Sequence, residues 1–411
     1  MVESKLTRAE IPLLKVYMSE DVESDVGATL RSGWVTQGPK VEEFEAALSK
    51  YIGCDNCVSV NSATSGLELV FYMLKRPGGW LGNWPGFQDG DEVLTCPLTC
   101  RATNWCIQHN GWRYKWVDCD PSTCNMDTSD LQSKISARTK IILLVHWGWA
   151  PADLDAVKRI QDQCQRDYGF KPVIVEDAAH AFGAKYKGKM IGSHGNVTVF
   201  SFQAVKHLTC GDGGLICFPT AGEYERAKLL RWFGINRNER NAYGGLPKEV
   251  DVLEAGFKYH MNDINATIGL ANFRYFEKDV LAKHRANAQL YDENFQNLKS
   301  VTPMRISADV ESARWMYTMR VWRKQAFIEP MRSKRIHCLQ IHGRNDDNTC
   351  AHVRGHRPSD LKGVTQACAE ICDIPVGWWL TGEQLHSIIA AVFEWERYFN
   401  QADWMPQSSK L

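Results

Sequence analysis

From residue 41 to residue 218 the chain switches repeatedly between two hydrophobic periods, and this limits the folds open to it. Short apolar runs of strand length recur at 57–60 (CVSV), 91–97, 113–120, 139–147, 171–179, 196–202 and 213–218. Among them lie segments at 41–52, 61–74, 103–110 and 153–168 whose apolar residues are spaced three and four apart, as on one face of a helix. Strands separated by helices pair in parallel through crossovers, which predicts an open α/β sheet. Sheets of that kind bind ligands beyond the carboxyl ends of their strands.

Beyond the helical segment 223–235 comes a polar, Gly-rich loop at 237–251, then a long helical pattern at 261–299. The pattern is expected to bridge a large unit, 1–260, and a smaller C-terminal α+β unit, 261–411. The last residues, QSSKL, are expected to fray.

Lys plus Arg balance Asp plus Glu at 48 each, so no global field draws the chain to nucleic acid or an anionic membrane. The first residues are charged and lack the apolar stretch of a signal peptide, and no apolar run approaches the roughly 20 residues that span a bilayer. A cytoplasmic enzyme is the expectation. The 14 cysteines are scattered and read as free thiols. Cys54 and Cys57 form a CxxC, but no second pair follows at zinc-site spacing, so no metal site is expected.

Four segments carry candidate chemistry. In SFQAVKHLTCGDGG (201–214), Lys206 follows a strand in a Gly-rich setting. A lysine that attacks a carbonyl must be partly desolvated; a surface lysine is the bland alternative. In VIVEDAAHAFG (173–183), an apolar strand ends at Asp177, with His180 just beyond. Asp177 suits a partner for a pyridinium nitrogen, or equally a helix cap, and His180 alone reads as structural. The turn from Asn61 to Gly66 joins a strand to a helix, and free N–H groups with the hydroxyls of Ser62, Thr64 and Ser65 make an anion site or an ordinary cap. In GFKYHMNDINATIGL (256–270), Lys258 is a second candidate cation for a phosphate, or a solvated lysine. Neither GxxxxGK nor GxGxxG occurs in the phosphate turn, so the fingerprints of triphosphate and dinucleotide sites are lacking there.

Taken in order, LRSGWVTQGPKVEEFE, VNSATSGLEL, GDEVLTCPLTCRATN, LLVHWGWAPADLDAV, the block 173–215 and GFKYHMNDINATIGLANF resemble the DegT/DnrJ/EryC1/StrS family of sugar aminotransferases over nearly the whole chain. The resemblance implies the pyridoxal-phosphate (PLP) transferase fold of type I: a large domain with a mostly parallel seven-stranded sheet between helices, a smaller C-terminal α+β domain, and a homodimer with shared active sites. Lys206 matches the Schiff-base lysine and Asp177 the pyridinium partner. His180 matches a Gln or His near the cofactor ring and its 3′ oxygen. Ser201 matches a phosphate ligand, and Ala63 and Thr64, with Ser62, the phosphate turn. Trp34, Thr36 and Gln37 lie where the family's N-terminal loop approaches a nucleotide-sugar. Two positions depart from the family pattern. Cys100 stands where an aromatic residue commonly covers the PLP ring, and Lys258 stands where an Asn commonly reaches the partner's phosphate; a lysine can serve there as a point charge.

The implied reaction is a ping-pong transfer from an amino acid, by analogy L-glutamate, through the pyridoxamine form to a keto group of a nucleotide-linked deoxy-sugar. His342 and Arg344, in a Gly-flanked loop, are candidates for sugar or diphosphate contacts. Family members that dehydrate sugars replace the lysine with histidine; here Lys206 is present and the histidine is its neighbour His207, which favours amino transfer. A PLP-binding regulator without turnover is the non-enzymatic alternative.

Overall fold

The structure is a computed structural model that describes residues 10–78, 84–148, 150–237, 249–352 and 360–401. Most of the Gly-rich loop 237–251 and the QSSKL tail lie outside the described residues.

The recurrent apolar runs become one seven-stranded sheet: β1 (Cys57–Val60), β2 (Glu92–Thr95), β3 (Arg113–Trp116), β4 (Thr139–Val145), β5 (Val173–Asp177), β6 (Val197–Ser201) and β7 (Gly214–Cys217), in the order β1-β7-β6-β5-β4-β2-β3. Neighbours pair in parallel from β3 to β6, and β7 alone runs antiparallel, between β6 and β1. The carboxyl ends of β1, β2, β4, β5 and β6 therefore open on one edge. β1, β5, β6 and β7 are buried along their whole length, which is why they read as continuous apolar runs rather than alternating ones.

The helix Ala63–Leu74 packs on the sheet with Leu67, Val70, Phe71 and Leu74 buried. Gly214 permits the close approach at its start. A Cβ there would lie 2.6 Å from the Ala63 nitrogen, closer than any real contact, so only glycine fits.

The long pattern at 261–299 forms an α-helix Asp263–Tyr275, a π-helical stretch Phe276–Leu281 and a second α-helix Ala282–Phe295. The wider turn faces Phe276, Val280 and Leu281 inward to the core of the large sheet. Ala288, Tyr291 and Phe295 join a second core, built on the antiparallel sheet β8 (Val301–Pro303), β9 (Tyr317–Val321) and β10 (Ile371–Ile374) and the helix Gly382–Asn400. Ile11 also packs in this second core, tied by main-chain bonds to Arg335 and His337. Among the described residues, no helix is long and apolar enough to cross a membrane.

Candidate active site

Three adjacent strands deliver the central residues. Asp177 is the last residue of β5, and its register neighbour in β4 is Val145, which leads to His146 and Trp147. β6 ends at Ser201, and the loop beyond it turns back through Lys206.

Asp177 is buried, 5% exposed, yet fully engaged. The Thr103 hydroxyl donates to its Oδ2 at 2.6 Å and the Ala179 N–H to its Oδ1 at 3.0 Å. Thr99 lies 2.9 Å from Thr103, so the carboxylate terminates a short chain of hydroxyls from the start of the helix Arg101–His109. These donors fix the orientation of the carboxyl group.

Lys206 is 9% exposed. Its Nζ lies over the Trp315 ring, 3.6 Å from the centroid, a cation–π distance. Burial pushes the amine down to about 7, with Asp177 and Cys100 acting in the opposite direction. Near neutral pH the amine is thus neutral for much of the time. Trp315 is held over it by its own indole N–H, which donates to the Val205 carbonyl at 2.9 Å.

His180 stacks on the other aromatic groups here. Its ring lies 4.3 Å from Trp315 at 23° and 5.2 Å from His342 at 10°, and Trp147 meets both histidines edge-on. Burial, then Lys206 and His342, holds His180 well below the usual imidazole value, and burial with Lys206 holds His342 down at about 4. Both are neutral, which fixes their tautomers. The Gly148 N–H donates to His180 Nδ1 at 3.1 Å, so the His180 proton sits on Nε2. That Nε2 is 3.3 Å from His342 Nε2, which must then accept and keep its own proton on Nδ1.

The remaining candidates fall into two groups. Ser62 caps the helix Ala63–Leu74, its hydroxyl accepting from the Ser65 N–H at 3.1 Å, and Thr64 lies in the first turn. Gly214 pairs with Val60 on one side and Ser201 on the other, so the Ser62–Thr64 turn and Ser201 flank one glycine. Cys100, half-buried, precedes the helix Arg101–His109, and its carbonyl accepts from Asn345. Lys258 is exposed, and its carbonyl accepts from Asn61 Nδ2 at 3.4 Å, beside the turn of its own chain.

Trp34, Thr36 and Gln37 form a separate cluster. Trp34 is 53% exposed; Thr36 Oγ1 lies 3.4 Å from His260 Nε2; the Gln37 carbonyl accepts from Arg237. Buried Asp263 organises this stretch by accepting from the N–H groups of Gly38, Lys40 and Val41 at the head of the helix Pro39–Ile52. His342 joins the lysine. Arg344 instead grips the buried Asp346 through Nε and Nη2, at 2.8 and 2.6 Å, and donates to Thr365. Sequence reading missed Thr103, Trp147 and Trp315. Thr103 lay inside a quoted segment as an ordinary helix residue, and Trp147 ended a strand beside Asp177's strand. Nothing in ARWMYTMRV pointed Trp315 at a lysine.

The fold is an open α/β sheet whose strand ends bring a buried lysine near a buried carboxyl group. The chain belongs to the DegT/DnrJ/EryC1/StrS aminotransferase family, whose model matches residues 16–393. Among solved structures it is similar to AtS13 from Actinomadura melliaura, with 41% identity, TM-score 0.85, and 94% of this chain and 99% of that one covered. It is also similar to the sugar aminotransferase CalS13 from Micromonospora echinospora, with 39% identity, TM-score 0.86, and 93% and 99% covered. A more distant Streptococcus pneumoniae protein shares 26% identity, TM-score 0.83, over 96% of this chain and all of that one in its PLP form; it has also been solved in a PMP form.

Proposed function

We propose that this chain is a PLP-dependent aminotransferase that moves an amino group, with L-glutamate as donor, to a keto group of a nucleotide-linked deoxy-sugar by a ping-pong mechanism. The observation that carries the reading is Lys206, a buried amine held at about 7 near the buried carboxyl of Asp177, both of whose oxygens accept hydrogen bonds. The likeness to CalS13, a sugar aminotransferase, supports the substrate class, and the PLP and PMP forms of the S. pneumoniae protein support the cofactor.

The residues fit that group. An aldehyde needs a neutral amine, a protonated ring nitrogen needs a buried anion, and a phosphate needs free N–H groups and hydroxyls. Lys206, Asp177, and the Ser62–Ala63–Thr64 turn with Ser201 supply these in turn. The cofactor supplies an electron sink that makes the proton on the donor carbon acidic.

The chain's own residues do the rest. Lys206 would hold the cofactor between turnovers; once freed, its neutral amine could take a proton from the donor carbon and return one to the carbon on the far side of the transferred nitrogen. Asp177 would sit opposite the ring nitrogen and favour its protonated form. His180, neutral and stacked on Trp315 and His342, would position the ring by contact, since its Nε2 proton is given to His342. Trp315, Trp147 and Cys100 exclude water from the amine. Lys258, exposed beside the phosphate turn of its own chain, would serve as a point charge toward the phosphate of the partner subunit. Trp34, Thr36 and Gln37 would bind the nucleotide-sugar, with His342 at the sugar or diphosphate and Arg344, committed to Asp346, holding that loop in place. The two units meet at the helix that starts near residue 261, and the enzyme works in the cytoplasm as a homodimer.

The test is direct. Purified protein incubated with PLP is expected to show visible imine absorbance that borohydride fixes onto Lys206. Lys206→Ala is expected to lose that band and to cut turnover by ~10⁴-fold or more. Products from a panel of nucleoside-diphosphate keto-sugars with glutamate are read by mass. Survival of the band in Lys206→Ala, or an imine that no amino acid discharges, would remove the reading.

A further inference from the structure

The sequence offers one CxxC and no matching second pair, yet the fold completes the set. Cys54 and Cys57 lie just before and at the start of β1, and β7 brings Cys217 directly opposite Cys57 in the ladder. The Cys57 and Cys217 sulfurs are 3.5 Å apart. All three sulfurs lie within 4.8 Å of one another, the sole group of three or more such ligands this close among the described residues.

We infer that Cys54, Cys57 and Cys217 form a thiolate site for a soft d10 metal ion, with zinc as its first occupant. A tetrahedral zinc with Zn–S bonds of about 2.3 Å sets its sulfurs about 3.8 Å apart. The Cys57–Cys217 separation of 3.5 Å lies close to that value and no pair of the three exceeds 4.8 Å, so the set is near the size such an ion needs. Three ligands from two elements also exceed what a disulfide uses, because any pairing strands the third thiol. Access exists as well. Cys54 is only half-buried, and Cys57 borders a surface groove with Ser49, Asp55 and Arg231, through which an ion enters and a fourth ligand, water or an acid, reaches the metal.

The location gives the site a job. β1 is the edge strand of the large sheet, and the Cys57–Cys217 pair is the first rung of its ladder. The last rung, Val60–Gly214, leads into the Ser62–Thr64 turn. Three strand residues of about 3.3 Å each put the metal roughly 10 Å from Val60, where the strand leads into that turn. The ion acts as a clamp on the edge strand and takes no part in the reaction. Binding to the folded chain alone raises its thermal midpoint.

The test uses full-length, reduced, metal-free protein titrated with Cd²⁺ and then Zn²⁺ alone, read by the ultraviolet thiolate-to-metal charge-transfer band and by chelator competition. Wild type is expected to hold one ion against the chelator and to melt at a higher temperature when loaded. Cys217→Ala and the milder Cys54→Ser are each expected to weaken that ion by on the order of 100-fold and to abolish the thermal shift. Cys164→Ala, which alters a buried thiol outside the cluster, is expected to match wild type. Circular dichroism confirms that each variant is folded, and Cys54→Ser carries the test if Cys217→Ala does not fold. Tight uptake that neither variant changes overturns the inference, as does no tight uptake. A Cys57–Cys217 disulfide found by thiol trapping and mass spectrometry in protein taken directly from cells overturns it too.

Discussion

Lys206 meets two kinds of wall. On the sheet side stand Asp177, His180 and Ser201, which leave β5 and β6 within one continuous block of sequence and are fixed by hydrogen bonds from their own unit. On the other side stand Trp315 and His342, carried by the C-terminal unit and docked by single bonds, Trp315 to the Val205 carbonyl and His342 to His180. The sheet side supplies charge and the aromatic side supplies dryness. If that division holds, sheet-side changes stop the reaction, whereas cover changes shift its pH dependence or its affinity.

The largest effect belongs to the sheet side. Asp177→Asn keeps the size of the side chain and removes its charge. Turnover is expected to fall by on the order of 10³-fold, with PLP still bound through Lys206. Stopped-flow absorbance with glutamate checks it, and near-normal turnover would dissolve the distinction between the two walls.

Next is the cost of burying the lysine itself. Its folded value of about 7 lies below its ordinary 10.5. Between those values the unfolded chain carries a proton that the folded chain lacks. The burial therefore destabilises the apo protein fully below pH 7, and the cost fades as pH rises through the window toward 10.5. Apo Lys206→Met is expected to be more stable than apo wild type at pH 6.5 by on the order of a few kcal/mol, and equally stable near pH 10.5. Urea unfolding at the two pH values reads the difference.

The same contrast explains what the sequence could show. Residues of the sheet side follow strands, and a strand that is buried on both faces announces itself as an apolar run, so Asp177 and Lys206 could be placed at one sheet edge before any coordinates. The Ser62–Thr64 turn was legible for the same reason. Trp315 was not, because its position depends on how the C-terminal unit docks, and no local period encodes docking. His342 was marked by its Gly-flanked loop, yet the same loop carries Arg344, whose charge is committed to Asp346. Cys217 is the extreme case: its partnership with Cys57 exists only through the antiparallel register of β7 on β1. The π-helical stretch 276–281 was hidden because it keeps the apolar spacing of the helices on either side.

A smaller effect separates dryness from charge. Trp315→Leu leaves Asp177 and Lys206 in place but opens the amine to water. The lysine is then expected to titrate about one unit higher, moving the pH profile of PLP uptake upward while the rate at alkaline pH changes little. A lowered plateau with no shift would assign Trp315 to orientation instead.

The smallest effect tests whether the cover touches substrate at all. His342 accepts the Nε2 proton of His180 and keeps its own on Nδ1. His342→Gln preserves an acceptor of similar reach and removes the ring. If His342 serves only to hold His180, glutamine replaces it and both half-reactions run at wild-type rates. If its Nδ1 proton points to the sugar, as proposed, the glutamate half-reaction stays unchanged while KM for the keto-sugar rises a few-fold, the loss of one hydrogen bond of about 1 kcal/mol. Because the two half-reactions can be followed separately, a change confined to the glutamate half would place His342 with the sheet-side residues and move the boundary between the two walls.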